Sequence, residues 1–133
     1  MAKYRNPAER PLSPHLQIYR LSMTMMMSIA HRISGAALYF GTFLLAWWLI
    51  AAASSESYFN HVNALFSSNL GRIILLGYTW ALLHHMLGGM RHLLWDTGSG
   101  FGKKTLDVLA WGTFLGSLAL TVLVWFAAYW FRG

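Results

Sequence analysis

Residues 33–55, ISGAALYFGTFLLAWWLIAAASS, form an unbroken run of 23 uncharged residues. A helix needs roughly 20 apolar residues to cross about 30 Å of hydrocarbon. Two further uncharged runs are similar in length, 18 residues at 73–90 and 24 at 108–131. Only 11% of the 133 residues are charged, whereas roughly 25% are charged in an average soluble domain. The sequence therefore predicts an all-α membrane protein with three transmembrane helices.

The polar residues between these runs divide the chain into an arm and a membrane domain. We expect a polar N-terminal arm over 1–21, at the inner interface, and a transmembrane domain over 22–133. Ser22 to Thr24 can cap the first helix, because their hydroxyls accept from free backbone N–H groups. The expected helices run over about 22–53, 67–95 and 105–130, with a loop at 54–66.

Basic residues gather at one end of the predicted spans. They are Lys3, Arg5, Arg10, Arg20, Arg32, Arg91, Lys103 and Lys104. The loop at 54–66 contains Glu56 and no Lys or Arg. Because loops rich in Lys and Arg stay on the cytoplasmic side, we predict that the N-terminus lies inside. This orientation also accounts for the net charge of +6 without a nucleic-acid partner.

The first 20 residues do not resemble a targeting peptide. They contain Glu9 and three prolines, and they lack the apolar segment of a secretory signal. This pattern favours a multi-pass protein of the bacterial inner membrane, with the mitochondrial inner membrane as the alternative. The chain has no cysteine, which excludes disulfides and iron–sulfur ligation by its own residues.

The second span contains three histidines and an arginine in ALLHHMLGGMRHLLWDTG (81–98). Residues seven apart on a helix lie within about 20° of one another. His85 and His92 therefore share one face, and His84 and Arg91 share a neighbouring face. Ionisable residues inside a membrane are costly and indicate function by default.

His85 lies at a depth that suits a haem iron. It is about 15 Å from the expected inner boundary near Asp96, and Gly88 and Gly89 remove side-chain bulk beside it. A single histidine in a span, whether His84 or His85, more often only hydrogen-bonds to a neighbour. We find no second histidine at similar depth in the first or third span, so a bis-histidine haem would take its other ligand from another chain.

A second polar group lies in the first span, in SIAHRISG (28–35). Ser28, His31 and Arg32 are three to four residues apart and border one surface of a helix. Arg32 could extend to lipid headgroups while Ser28 bonds to its own helix. Alternatively, the hydroxyl and the guanidinium bind the oxygens of a membrane-soluble substrate or of a haem propionate.

Three blocks together resemble the cytochrome b subunit of succinate dehydrogenase, the larger membrane anchor of respiratory complex II. They are RPLSPHLQIY (10–19), SIAHRISG (28–35) and HHMLGGMRHLLWDTG (84–98). Their order and spacing agree with that family, and the resemblance covers nearly the whole chain. It implies a helical bundle with a second anchor subunit in the membrane lipids, attached to an iron–sulfur subunit and a flavoprotein subunit.

The resemblance also implies roles for individual residues. It assigns His85 as one axial ligand of haem b, with the second axial histidine supplied by the smaller anchor subunit. It places Ser28 and Arg32 in the ubiquinone site, and His31, Arg32 and His92 near the haem propionates. The residue next to the ligand, His84, departs from the usual family pattern.

The implied function is that of a haem b anchor in succinate:ubiquinone oxidoreductase. The chain would form part of the quinone-reduction site, pass electrons from succinate to its substrate ubiquinone, and have no dehydrogenase activity alone. The alternative is a haem-free structural anchor for a related succinate dehydrogenase or fumarate reductase complex. A transporter or channel fits less well, because the sequence has no inverted repeat.

Overall fold

The computed structural model describes residues 18–131. Its helices are α1 (Met23–Ser54), α2 (Glu56–Ser67), α3 (Asn69–Asp96) and α4 (Lys103–Trp130). The three long helices, α1, α3 and α4, are long and apolar enough to cross a membrane. The predicted all-α membrane fold with three spans is therefore confirmed. Most of the expected arm (1–21), and most of the block at 10–19, lie outside the described residues.

Serine residues begin three of the four helices. Ser22 caps α1 by accepting from the backbone N–H of Met25, as the sequence predicted. Ser55 and Ser68 cap α2 and α3 in the same way, accepting from the N–H groups of Tyr58 and Gly71. Each cap satisfies one of the N–H groups that have no partner within the first turn.

The segment expected to be a loop at 54–66 is largely a helix, so that expectation was wrong. Helix α2 has 12 residues, too few to cross a membrane. It is fixed to α1 by a 2.7 Å hydrogen bond from Trp47 Nε1 to the Tyr58 hydroxyl, and its Val62 is fully buried. A short helix with several polar residues gives no long apolar run, and this is why hydropathy did not reveal it.

The second connection turns through two glycines in the left-handed backbone region. Gly98 has a φ of 77° and Gly100 a φ of 84°. The N–H of Gly98 donates to the Trp95 carbonyl at 2.8 Å, which closes the end of α3. Glycine is favoured at this position because a Cβ would clash in the left-handed conformation.

The interior of the bundle consists largely of small and polar residues, while large apolar residues face outward. The buried residues include Ala51, Ala81, Ala110, Ser34, Thr113, Ser117 and Thr121. Small residues let membrane helices approach closely, and lipid takes the place of water around the apolar exterior. Gly112 and Gly116 of α4 form a GxxxG pattern, but only Gly116 lies at a helix contact. A Cβ on Gly116 would meet Leu87 of α3, whereas one on Gly112 would meet nothing within 4 Å.

Helices α1 and α3 pack closely because rings from one helix lie over glycines of the other. The ring of His85 lies over Gly35, Tyr78 over Gly41, and His31 over Gly88. A Cβ at any of these glycines would come too close to the facing ring, so each glycine is required by packing. Two of the three rings belong to histidines that the sequence analysis singled out.

Candidate functional site

Histidines from α1 and α3 form a cluster between these two helices. The rings of His31 and His85 are stacked, with centroids 4.0 Å apart and planes 8° from parallel. His92 lies against His31 at 5.2 Å with a tilt of 53°. The structure thus brings together three of the residues predicted for the haem site.

The expectation that no other histidine lies at the depth of His85 was wrong, because His31 stacks on it. Their distances from the helix ends are unequal, about 12 Å along α1 from Met23 and about 16 Å along α3 from Asp96, so counting from the ends hid this match. The two rings do not form an axial pair. A ligand lone pair lies in the plane of its ring, so two axial histidines direct nitrogens at each other and do not stack face to face.

The hydrogen bonds of His85 determine which ring nitrogen carries the proton. Its Nδ1 lies 3.1 Å from the backbone oxygen of His31 and 3.4 Å from Ser34 Oγ. A carbonyl can only accept, so Nδ1–H is the donor in the shorter contact. The neutral ring then holds its lone pair on Nε2. This tautomer is typical of a histidine that binds a metal through Nε2.

The two glycines beside His85 have different surroundings. A Cβ on Gly88 would overlap the His31 ring, so that space is already filled. A Cβ on Gly89 would meet nothing within 4 Å. The predicted open space beside His85 therefore exists at Gly89 and not at Gly88.

The neighbouring histidine, His84, lies in a different environment. It is fully buried, its Nδ1 is 3.4 Å from Ser117 Oγ of α4, and it stacks on Trp80 at 5.1 Å. Ser117 Oγ donates its own proton to the Phe114 carbonyl at 2.8 Å, so the hydroxyl oxygen accepts from His84. His84 is thus enclosed within the bundle of this chain, whereas His85 is only partly buried.

Arg91 is also buried, with 4% of its surface exposed. Its guanidinium lies 5.1 Å from the Trp95 ring centroid, and its Nε and Nη1 have no hydrogen-bond partner among residues 18–131. Arg91 forms no ion pair with the nearby Asp96, since Asp96 is exposed and a separation of five residues places two side chains about 140° apart on a helix. The shared burial of His84 and Arg91 agrees with their spacing of seven, but the sequence did not indicate that this face is the inner one.

The predicted quinone residues lie one turn apart on α1. Ser28 is half-buried and Arg32 is exposed. Neither side chain hydrogen-bonds to another residue within the described part of the chain. Arg32 therefore faces away from the bundle. His92 is also exposed, at the edge of the histidine cluster, and packs edge-on against Trp95 at 5.0 Å.

Comparison with known proteins identifies the family. The family model described as "Succinate dehydrogenase/Fumarate reductase transmembrane subunit" matches residues 6–124. The chain belongs to this family. The succinate dehydrogenase cytochrome b556 subunit of Paracoccus denitrificans is 44% identical over 118 residues, covering 89% of this chain and 91% of the relative. The corresponding subunit of Rickettsia felis is 38% identical over 117 residues, covering 88% and 91%.

Mitochondrial members of the family are similar over a shorter range. The succinate dehydrogenase cytochrome b560 subunit of Sus scrofa is 39% identical over 97 residues, which cover 70% of this chain and 56% of that protein. With three apolar helices, the bacterial relatives identify a multi-pass protein of the inner membrane. Membership of the family makes the chain a membrane-anchor subunit of an enzyme complex.

Proposed function

We propose that the chain is the haem b anchor of a succinate:ubiquinone oxidoreductase and forms part of its quinone-reduction site. The supporting observation is the hydrogen bond from His85 Nδ1 to the backbone oxygen of His31, at 3.1 Å. It leaves the Nε2 lone pair available to iron on a residue that this chain only partly buries. The relatives named as cytochromes b support the same assignment.

The residues around His85 suit the remaining parts of a haem. His31 Nε2 is buried and has no hydrogen-bond partner among the described residues, so it is free to donate to a propionate carboxylate. The exposed Arg32 and His92 would supply positive charge and hydrogen-bond donors to the same carboxylates. Haem b, when bound, accepts and releases one electron at a time. A second histidine ligand would come from the smaller anchor subunit, because His31 stacks face to face on His85 and cannot serve.

Ser28 and Arg32 would hold the ubiquinone ring from one side of α1. The Ser28 hydroxyl would orient the ring by donating a hydrogen bond to a quinone oxygen. The Arg32 guanidinium would stabilise negative charge that develops on that oxygen as electrons arrive, in surroundings with little water to screen it. Its exposure on this chain leaves the guanidinium available to a site shared with other subunits.

The succinate chemistry would take place outside this chain. We propose that a flavoprotein subunit and an iron–sulfur subunit attach at the inner face, where α3 ends and α4 begins. Lys103 and Lys104, at the start of α4, make this end basic, and the positive-inside rule places such an end on the cytoplasmic or matrix side. The isolated chain would have no dehydrogenase activity.

Substitution of the two adjacent histidines tests the haem assignment. In the purified complex, His85→Ala should remove the b-type α-band of the dithionite-reduced spectrum, because the axial nitrogen is lost. His84→Ala is the matched control, one residue away, and should retain the band while lowering thermal stability. Loss of the band in His84→Ala and its retention in His85→Ala would reverse the assignment, and a wild-type complex with no α-band would establish the haem-free anchor.

A further inference from the structure

A cavity of about 490 Å³ lies at the end of the bundle farthest from the histidine cluster. Trp48 in its wall is 17 residues, or about 25 Å of helix, beyond His31. All four helices contribute to the lining, with α2 forming one side. The aromatic members of the lining are Trp48, Phe66, Tyr78, Trp125 and Tyr129.

The walls of this cavity are held by contacts within the chain. Trp48 packs edge-on against Phe59 of α2, with ring centroids 5.6 Å apart. Trp125 Nε1 donates to Thr79 Oγ1 at 3.3 Å, which joins α4 to α3 and satisfies both groups. Tyr78 lies over Gly41, where a side chain would occupy the same space. The cavity is thus a feature of the packed bundle and not a gap between loose helices.

The polar groups of the lining are few. Asn63 and Ser67 come from α2 and Arg72 from the first turns of α3. Within the described part of the chain, Arg72 is the only charged residue of the lining, and no carboxylate lines the cavity. The Arg72 side chain is exposed. A guanidinium beside an apolar cavity, with no acidic side chain in the lining, favours a ligand with a negative head and an apolar body.

We propose that this cavity binds a phospholipid with a negatively charged headgroup, one acyl chain entering between the helices and the phosphate at Arg72. Trp and Tyr concentrate where the hydrocarbon meets water, so the aromatic lining places the mouth at headgroup depth. Arginine binds phosphate oxygens through paired N–H groups. A zwitterionic headgroup is disfavoured, because its ammonium would lie near the positive charge of Arg72 and the lining has no carboxylate to neutralise it. The volume lies within the roughly 300–1,000 Å³ of small-molecule sites.

The lipid content of the purified complex tests this proposal. The whole complex is extracted in mild detergent from bacterial membranes that contain phosphatidylglycerol and phosphatidylethanolamine, and the retained lipids are counted by mass spectrometry. We expect enrichment of phosphatidylglycerol over its share of the membrane. Arg72→Gln should weaken its retention roughly tenfold, the effect of losing one charge-assisted hydrogen bond. His61→Gln, an exposed residue of α2 at the same membrane end that does not line the cavity, is the control and should retain the wild-type amount.

A second measurement does not depend on the Arg72→Gln variant and is used if the complex that carries this variant assembles poorly. The delipidated wild-type complex is titrated with vesicles of phosphatidylglycerol or of phosphatidylcholine, and its thermal midpoint is followed. A rise with phosphatidylglycerol alone supports the proposal, and Ala128→Phe, which places a ring in the cavity lining, should abolish that rise. Equal effects of the two lipids, or unchanged retention of phosphatidylglycerol in Arg72→Gln, would overturn it. Because both readouts are independent of haem, the result holds for a haem-free complex as well.

Discussion

Gly35→Ala is a small change that acts directly on the proposed haem ligand. Gly35 of α1 lies against the His85 ring, so that a Cβ there would be 2.9 Å from Cε1 and 3.4 Å from Nδ1. Carbon atoms pack at about 3.5–4.0 Å. The ring therefore has to move by at least about 0.6 Å to accept the added methyl group. This movement strains the 3.1 Å bond from Nδ1 to the His31 carbonyl.

The size of the effect follows from the strain in the haem-bound state. Inserting a methyl group into a close-packed contact costs about 1–3 kcal/mol. Alanine gains about 0.5–1 kcal/mol over glycine in a helix, but this gain is the same with and without haem and cancels. Without iron on Nε2 the ring can turn away from the methyl group by giving up its hydrogen bond to the His31 carbonyl, whereas bound iron would also hold the ring in place. Most of the strain then appears as haem affinity that is weaker by about 5- to 100-fold.

The assay is the ratio of haem to protein in the purified complex, read from the reduced α-band after washing with a haem-binding competitor. Gly112→Ala is the control, since a Cβ there meets nothing within 4 Å and the helix propensity changes by the same amount. Gly35→Ala should lose haem faster than both the wild type and this control. Full haem content and an unshifted band in Gly35→Ala, beside loss in His85→Ala, would refute the placement of the ring.

Two further substitutions test the quinone residue and the packing of α1 on α3. Arg32→Ala should lower succinate–quinone activity by at least tenfold, since one electrostatic donor contributes roughly that much or more. Succinate oxidation with a soluble dye should stay intact. Equal loss of both activities would show that Arg32 is not part of the quinone site. Gly41→Ala should destabilise the complex by about 1–3 kcal/mol, seen as a lower thermal midpoint, because its Cβ would overlap the Tyr78 ring. Gly77→Ala, which meets nothing within 4 Å, should leave the midpoint at or slightly above the wild-type value, because alanine favours a helix. Equal midpoints for the two variants would contradict the contact.

The membrane helices could be predicted from the sequence because lipid imposes a simple requirement. A spanning segment must be apolar over its length and satisfy its backbone groups internally. A long uncharged run such as 33–55 is therefore sufficient to predict a transmembrane helix. Helix α2 has no such requirement and depends on its Ser55 cap and on contacts with α1. The cap was a usable signal, since Ser55 is followed by Glu56 in the first turn, where a negative charge favours a helix.

The histidine site could be predicted in part. Helical spacing separates His84 from His85, but the sequence does not say which face turns toward α4. That choice depends on Ser117, which receives the bond from His84, and on Gly35, which makes room for the His85 ring. Both partners are more than 30 residues away along the chain. Helical periodicity gives no information on tertiary contacts of this kind.

The depth of His31 is a second case in which distance along a helix was insufficient. The two histidines stack although their positions along α1 and α3 differ by nearly one helical turn. The His31 ring lies over Gly88 and the His85 ring over Gly35, because a glycine at each place leaves room for the facing ring. A depth estimate that counts residues along one helix has no information on where a side chain places its ring.

The acceptor for the His85 proton is a peptide oxygen, and it remains when the side chain at position 31 is replaced. Residue 31 can therefore be replaced, which changes the charge near the proposed haem site, without altering which nitrogen of the neighbouring imidazole is protonated. At position 31 of α1, the backbone oxygen sets the protonation of His85 and the side chain sets the local charge, so a substitution changes only the second.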